Sequence, residues 1–189
     1  AQIANFHVAD DEAVEPEELQ KYVNQYLPED IAVTGVVAAG ERFHSRLNAT
    51  GKTYEYHLIP YGTYDVFARK YAWQMTEPLD IEAMREAAGH VLGSHDFRSF
   101  CTKAAKKKST IRTIRLLEIY ETKNEIVIEI TGNGFLYNMV RILVGTLVEV
   151  GMGLRKADDI PTILEKKERR YAGETAPACG LFLKQIYYE

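Results

Sequence analysis

Arg42-Phe43-His44-Ser45-Arg46 sets two guanidinium groups and an imidazole about one aromatic ring, and Lys52, Tyr54 and Tyr56 follow within ten residues. Single-stranded RNA is held by such a mixture, its bases stacked on aromatic rings and its phosphates taken by Arg and Lys. Tyr54 and Tyr56, two positions apart, also fit one face of a β-sheet, where aromatic side chains are enriched. His44, Lys52 and His57 are the residue types of a ribonuclease-like acid and base pair, although closeness in sequence does not make side chains converge.

A second chemically unusual stretch is Gly134-Phe135-Leu136-Tyr137-Asn138-Met139-Val140-Arg141-Ile142-Leu143-Val144-Gly145. Arg141 stands in an apolar run, where a charge is expected only if it is paired or reaches solvent. On a helix it shares a face with Asn138 and Gly145, and these small or polar neighbours leave room for another segment to approach. Such an arginine wants a carboxylate. It either completes a structural ion pair or positions a catalytic acid.

The formal charge of −4 at pH 7 argues against a nucleic-acid partner only if it is evenly spread. Residues 1–41 hold nine acidic residues and one basic, Lys21, leaving 18 acidic and 22 basic in residues 42–189, a net +4. Phe97 to Leu117 has no acid and carries Arg98, Lys103, Lys106, Lys107, Lys108, Arg112 and Arg115. Such a local basic field binds phosphates whatever the total charge, and a solvated lysine loop accounts for the same run. Cys101 and Cys179 lack the spacing of a zinc or redox pair, so free thiols in a reducing compartment are expected. Ala1 to His7 has no basic segment leading into an apolar run, and Met139 to Val150 is too short for a bilayer. A soluble cytoplasmic protein without a membrane partner is the expectation.

The elements that must position these groups follow from periodicity. Gln2 to Val8, Ile31 to Ala39 and Thr53 to Ile59 alternate like strands, and Glu15 to Leu27 has helical spacing until Pro28. Asp80 suits the N-cap of a helix with the stripe Ile81, Met84, Ala88, Val91 and Leu92, and Gly93 suits its end. Ile111 to Tyr120 and Glu125 to Ile130 form a hairpin pattern. Helices over Leu136 to Val150 and Ile160 to Arg170 and a strand over Leu181 to Tyr188 complete the chain. Without regular βαβ alternation, the fold class is α+β, a mostly antiparallel sheet with helices on one face. The chain opens without Met and directly on a strand-like pattern, so an upstream segment is expected.

Four blocks together are specific: Arg42 to Tyr56 (RFHSRLNATGKTYEY), Asp96 to Phe100 (DFRSF), Gly134 to Gly151 (GFLYNMVRILVGTLVEVG) and Ala172 to Leu183 (AGETAPACGLFL). In content, order and spacing they resemble the tRNA pseudouridine synthase A family. The resemblance implies two α+β subdomains around a cleft, the pseudouridine synthase fold, with residues 1–45 in the first and 46–189 in the second. It implies conversion of uridine to pseudouridine at positions thirty-eight to forty of the anticodon arm of tRNA, by a homodimer, with no metal or organic cofactor. The target base must leave its stack, so a basic surface, a pocket and a stacking group are needed together.

Residue by residue, the resemblance makes Tyr54 the tyrosine that contacts the target base. Arg141 becomes the basic residue that keeps a catalytic aspartate ionised, and Leu181 the apolar residue packed against the pocket. Arg42, His44, Arg46, Lys52 and the run Lys106, Lys107 and Lys108 are the candidate tRNA contacts. The family nucleophile lies in a Gly-Arg-Thr-Asp-Ala-Gly-Val-His-Ala motif, and Ala1 to His7 is similar to the strand just after it. None of the eight aspartates here has an Arg-Thr-Asp context, and Asp96 belongs to a different, structural block. No nucleophile is assigned, and these residues alone are expected to be inactive. An RNA-binding fragment without catalysis is the alternative.

Overall fold

The computed structural model describes residues 2–8, 14–102 and 109–188. Lys106, Lys107 and Lys108 lie outside the described residues. The chain divides into two compact units, Ile3–Asn48 and Ala49–Glu189, the second also taking in Ala1–Gln2.

In the smaller unit, helix α1 spans Pro16–Asn24. Pro16 opens it, where a missing N–H costs nothing, and Glu17 and Glu18 in the first turn with Lys21 in the last match the helix dipole. The strands expected over Gln2 to Val8 and Ile31 to Ala39 do not form among the described residues. Alternation makes a segment suitable for a ladder, but only a neighbouring strand completes one. Val33 instead exchanges both backbone groups with the Asn24 amide, N–H to Oδ1 at 2.8 Å and Nδ2–H to O at 2.9 Å. Asn5 Oδ1 accepts from the Ser45 N–H at 2.9 Å.

The larger unit is built on a six-stranded sheet. Its middle strand, β1 (Gly51–Ile59), pairs antiparallel with β5 (Ile126–Gly132) along one edge. Its other edge takes β6 (Leu181–Tyr187), antiparallel, and the two-residue β2 (Trp73–Gln74), parallel. Outward from β5 come β4 (Ile111–Glu121) and β3 (Gly93–Asp96), both antiparallel. Helices α2 (Ile81–Gly89), α3 (Met139–Gly151) and α4 (Asp159–Lys166) complete the unit. The class is α+β on a mostly antiparallel, mixed sheet.

Inward side chains of the sheet, among them Tyr56, Leu58, Ile128 and Ile130, join Met139, Ile142, Leu143 and Leu147 of α3 in one buried cluster. Eleven of the 13 residues of α3 are buried. Its apolar run therefore reads as a core helix, with only Arg141 and Glu149 of intermediate exposure. Asp80 caps α2 as expected, accepting from Ala83 N–H at 3.0 Å. Gly93, however, does not end that helix. The helix stops at Gly89, and Gly93, at φ 94°, makes the turn into β3, a conformation that glycine adopts without a Cβ clash.

Candidate active site

Tyr54, Arg141 and Leu181 come from three separate sequence blocks and line one small cleft of about 100 Å³, together with Phe135, Asn138 and Val140. Tyr54 is delivered by β1 where its register with β6 shifts, so that Tyr54 opposes Leu183 and Tyr56 opposes Leu181. The half-buried Tyr54 ring stands edge-on to Phe135, with centroids 5.2 Å apart at 89°. Burial pushes its hydroxyl pKa up, so the phenol remains protonated at neutral pH. Tyr56, fully buried behind it, donates to the Pro177 carbonyl at 2.6 Å, and burial pushes its pKa far up. The first tyrosine faces the cleft, and the second ties the sheet to the segment leading into β6.

Arg141 is held through its backbone and its side chain at once. Its carbonyl accepts from Ala176 N–H at 3.1 Å, while its Nε donates to the Ala176 carbonyl at 2.6 Å. Its Nη1 donates to Asn138 Oδ1 at 3.4 Å. Asn138 precedes α3 in the left-handed conformation, φ 61°, which Asn tolerates better than most residues. Two of the five guanidinium donors are thus used, and among the described residues no carboxylate pairs with Arg141. The structural ion pair is therefore not what holds this arginine among those residues; a carbonyl and an amide hold it.

The room beside Arg141 comes from Gly145, one turn further along α3. A Cβ there would lie 2.1 Å from the Glu174 carbonyl oxygen, so the helix and residues 173–176 touch backbone to backbone. Thr146 Oγ1 donates to the Ile142 carbonyl at 2.7 Å and accepts from Gly173 N–H at 2.9 Å. Glu149 accepts from Glu174 N–H at 2.8 Å and also pairs with Arg155. Ala172 to Leu183 therefore works as a strap. It crosses α3, catches Tyr56 through Pro177, and enters the sheet at Leu181.

The other residues singled out in the sequence lie elsewhere. Arg42, His44 and Arg46 are exposed and belong to Ile3–Asn48, where His44 Nδ1 accepts from the Arg46 and Leu47 N–H groups at 3.2 and 3.4 Å. Lys52 is half-buried near the start of β1. His57, five residues on, points to the opposite face, with its Nδ1 2.8 Å from Glu125 Oε2. Lys52 and His57 thus form no ribonuclease-like pair. Asp96 caps the 3-10 turn Phe97–Phe100. Burial alone would raise its pKa, but the Thr110 hydroxyl, the Lys167 ammonium and the Arg98 N–H hold the carboxyl below its usual range.

Periodicity did not reveal Phe135 as the ring facing Tyr54, nor the Ala176 carbonyl as a partner of Arg141. A side-chain signal existed for Phe135, its place in the Gly134 to Gly151 block. None exists for a backbone carbonyl. A larger cleft of about 290 Å³ lies between α2 and β4. It holds none of the sequence candidates, and Arg85 on its wall is already bound to the Ile119 carbonyl, at 2.9 Å, and to Glu82.

The cleft unites a protonated phenol, a guanidinium with donors unused among the described residues and apolar walls, a set suited to a flat ring and a nearby anion. A family model described as tRNA pseudouridine synthase matches residues 87–189, more than half of the chain. The chain is 43% identical over 187 residues to a Bacillus cereus protein named tRNA pseudouridine synthase A 2, covering 99% of this chain and 76% of that protein. A Bacillus anthracis protein of the same name is similar to the same extent. A second Bacillus cereus protein, tRNA pseudouridine synthase A 1, is 46% identical over 166 residues, 88% of this chain and 67% of its own length.

Proposed function

The chain belongs to the tRNA pseudouridine synthase family, and on that premise we propose that it acts on uridines thirty-eight to forty of the tRNA anticodon arm, with Tyr54, Arg141 and Leu181 walling the base pocket. The activity is an isomerisation. The bond from ribose C1′ to uracil N1 breaks and one from C1′ to C5 forms; C5 loses its proton and N1 gains one, so no oxidant or reductant is needed. The observation that carries the reading is the convergence of Tyr54, Arg141 and Leu181 on one cleft. In this reading the Tyr54 ring and hydroxyl meet the extruded base, Leu181 closes its apolar side, and the free donors of Arg141 hold an aspartate ionised and aimed.

None of the eight aspartates stands in the family's Arg-Thr-Asp context, and the proposal is that these 189 residues do not turn over alone. That leaves an RNA-binding module as the second reading. Arg42, His44, Arg46, Lys52 and the run Lys106 to Lys108 are proposed as tRNA contacts. The family's homodimer, a cytoplasmic location, and subdomains over residues 1–45 and 46–189 complete the proposal. Incubation with unmodified tRNA and pseudouridine-specific detection at each uridine tests it. Turnover by the 189 residues alone would overturn the view of the nucleophile, and failure of the whole gene product would overturn the activity. Sedimentation equilibrium tests the dimer.

A further inference from the structure

Between β1 and β2, residues 60–71 carry four aromatic rings into solvent, with Tyr61 59%, Tyr64 87%, Phe67 88% and Tyr71 60% exposed. Isolated exposed rings are ordinary, but four within eleven residues put an unusual amount of ring surface on one loop. Arg69 and Lys70 are exposed beside them. The one acid of the loop, Asp65, is turned inward on the chain, where its Oδ1 accepts from Phe67 and Ala68 N–H at 2.9 Å each. These two bonds hold the backbone leading into the short turn Ala68–Lys70.

The loop also borders the two strands that carry cleft residues. It leaves from the end of β1, the strand that carries Tyr54, and returns through Ala72, whose carbonyl is 3.5 Å from Cys179 Sγ. Trp73 then packs edge-on against Tyr56, with centroids 6.4 Å apart. The Tyr71 ring lies 6.4 Å from Phe182, the residue next to Leu181. Leu181 and Phe182 face opposite sides of β6, so the loop sits around the sheet edge from the pocket wall. On the outer face, Glu55 and Glu129 share Lys184 at 2.8 and 2.7 Å, and Glu125 is held by His57. The carboxylates near Phe182 are thus paired.

We infer that residues 60–71 form a second RNA-binding site outside the cleft, in which unpaired bases of the tRNA stack on Tyr64 and Phe67 while Arg69 and Lys70 take the adjoining phosphates. Exposed rings interleaved with cations, and a sequestered acid, complement a single-stranded polyanion. The inference rests on tRNA being the substrate. It is tested in the whole gene product with unmodified tRNA and with its isolated anticodon stem-loop. Phe67→Ala weakens binding of both on the order of tenfold, as removal of one stacked base does, and Phe67→Trp restores it. Arg69→Gln with Lys70→Gln flattens the plot of log affinity against log salt by roughly 0.7 for each phosphate no longer neutralised. Wild-type affinity and slope in these variants would overturn the inference while leaving the activity in place, whereas an inactive wild type would overturn the underlying reading. A change of oligomeric state in Phe67→Ala, reversed in Phe67→Trp, would assign the loop to a protein interface and overturn it too.

Discussion

At the scale of residues, Arg141 is the group on which chemistry and stability make different demands. Its guanidinium is half-buried and bound to the Ala176 carbonyl and Asn138, so removing it strands no described carboxylate. In the whole gene product, Arg141→Ala is expected to lower kcat far more than tRNA affinity, with little loss of melting temperature. Single-turnover kinetics and thermal melting on that variant decide the point. A large drop in melting temperature with normal chemistry in the folded fraction would make the residue structural. Asn138 is a positioning residue for this arginine. Asn138→Gly keeps the left-handed backbone without strain but removes the amide, and is expected to lower kcat at nearly unchanged stability. Asn138→Ala adds about 1–2 kcal/mol of left-handed strain to the same loss. Equal kcat in Asn138→Gly and wild type would remove Asn138 from the account.

At the scale of elements, the contact between α3 and the strap is backbone against backbone, and it has no slack. A methyl group at Gly145 would be 2.1 Å from the Glu174 oxygen, so Gly145→Ala must push the strap off the helix. Its expected cost is about 1–3 kcal/mol, as for other overpacked sites, read by urea denaturation. Because the same strap carries the Ala176 carbonyl and leads to Leu181, kcat is expected to fall as well, in the fraction that remains folded. Thr146→Val, which keeps the volume but removes the bonds to Ile142 and Gly173, is expected to destabilise by about 1–3 kcal/mol through the unpaired Gly173 N–H. Wild-type stability in both variants would show that the strap adapts to the helix.

For the molecule as a whole, two charge effects separate by pH and by salt. Asp96 has a depressed pKa in the folded state through Thr110, Lys167 and the Arg98 N–H. Its contribution to stability is therefore present above the unfolded value of about 3.9 and is lost as pH falls through the folded one. Asp96→Asn is expected to lower stability at pH 7 and to flatten the decline below about pH 4. A parallel decline in both proteins would deny Asp96 that role. Neutralising Lys106, Lys107 and Lys108 together is expected to weaken tRNA binding and to reduce the salt slope by roughly one unit for every phosphate that these lysines hold. An unchanged slope would leave the run as a solvated loop.

Apolar periodicity by itself determined most of the larger unit: β1, the β4–β5 hairpin, α2 with its Asp80 cap, α3, and β6 all lie where alternation or helical spacing puts them. Such patterns are local, because a residue's face follows from its neighbours one to four positions away. Tyr54, Arg141 and Leu181 stand in three separate motif blocks, and it is the fold that brings them to one cleft. Pairing is not local. Gln2 to Val8 and Ile31 to Ala39 alternate as well as β1 does, yet among the described residues no strand lies beside them, and Asn24 takes the backbone groups of Val33 instead. Trp73–Gln74 and Gly93–Asp96 are too short and too polar to announce themselves, and become strands only because β1 and β4 offer open edges. The partner of Arg141 was likewise decided in three dimensions. The spacing of Asn138, Arg141 and Gly145 showed that something could approach, but which group arrived depended on a strap 35 residues downstream whose donor and acceptor are backbone atoms, and backbone atoms are the same in every sequence.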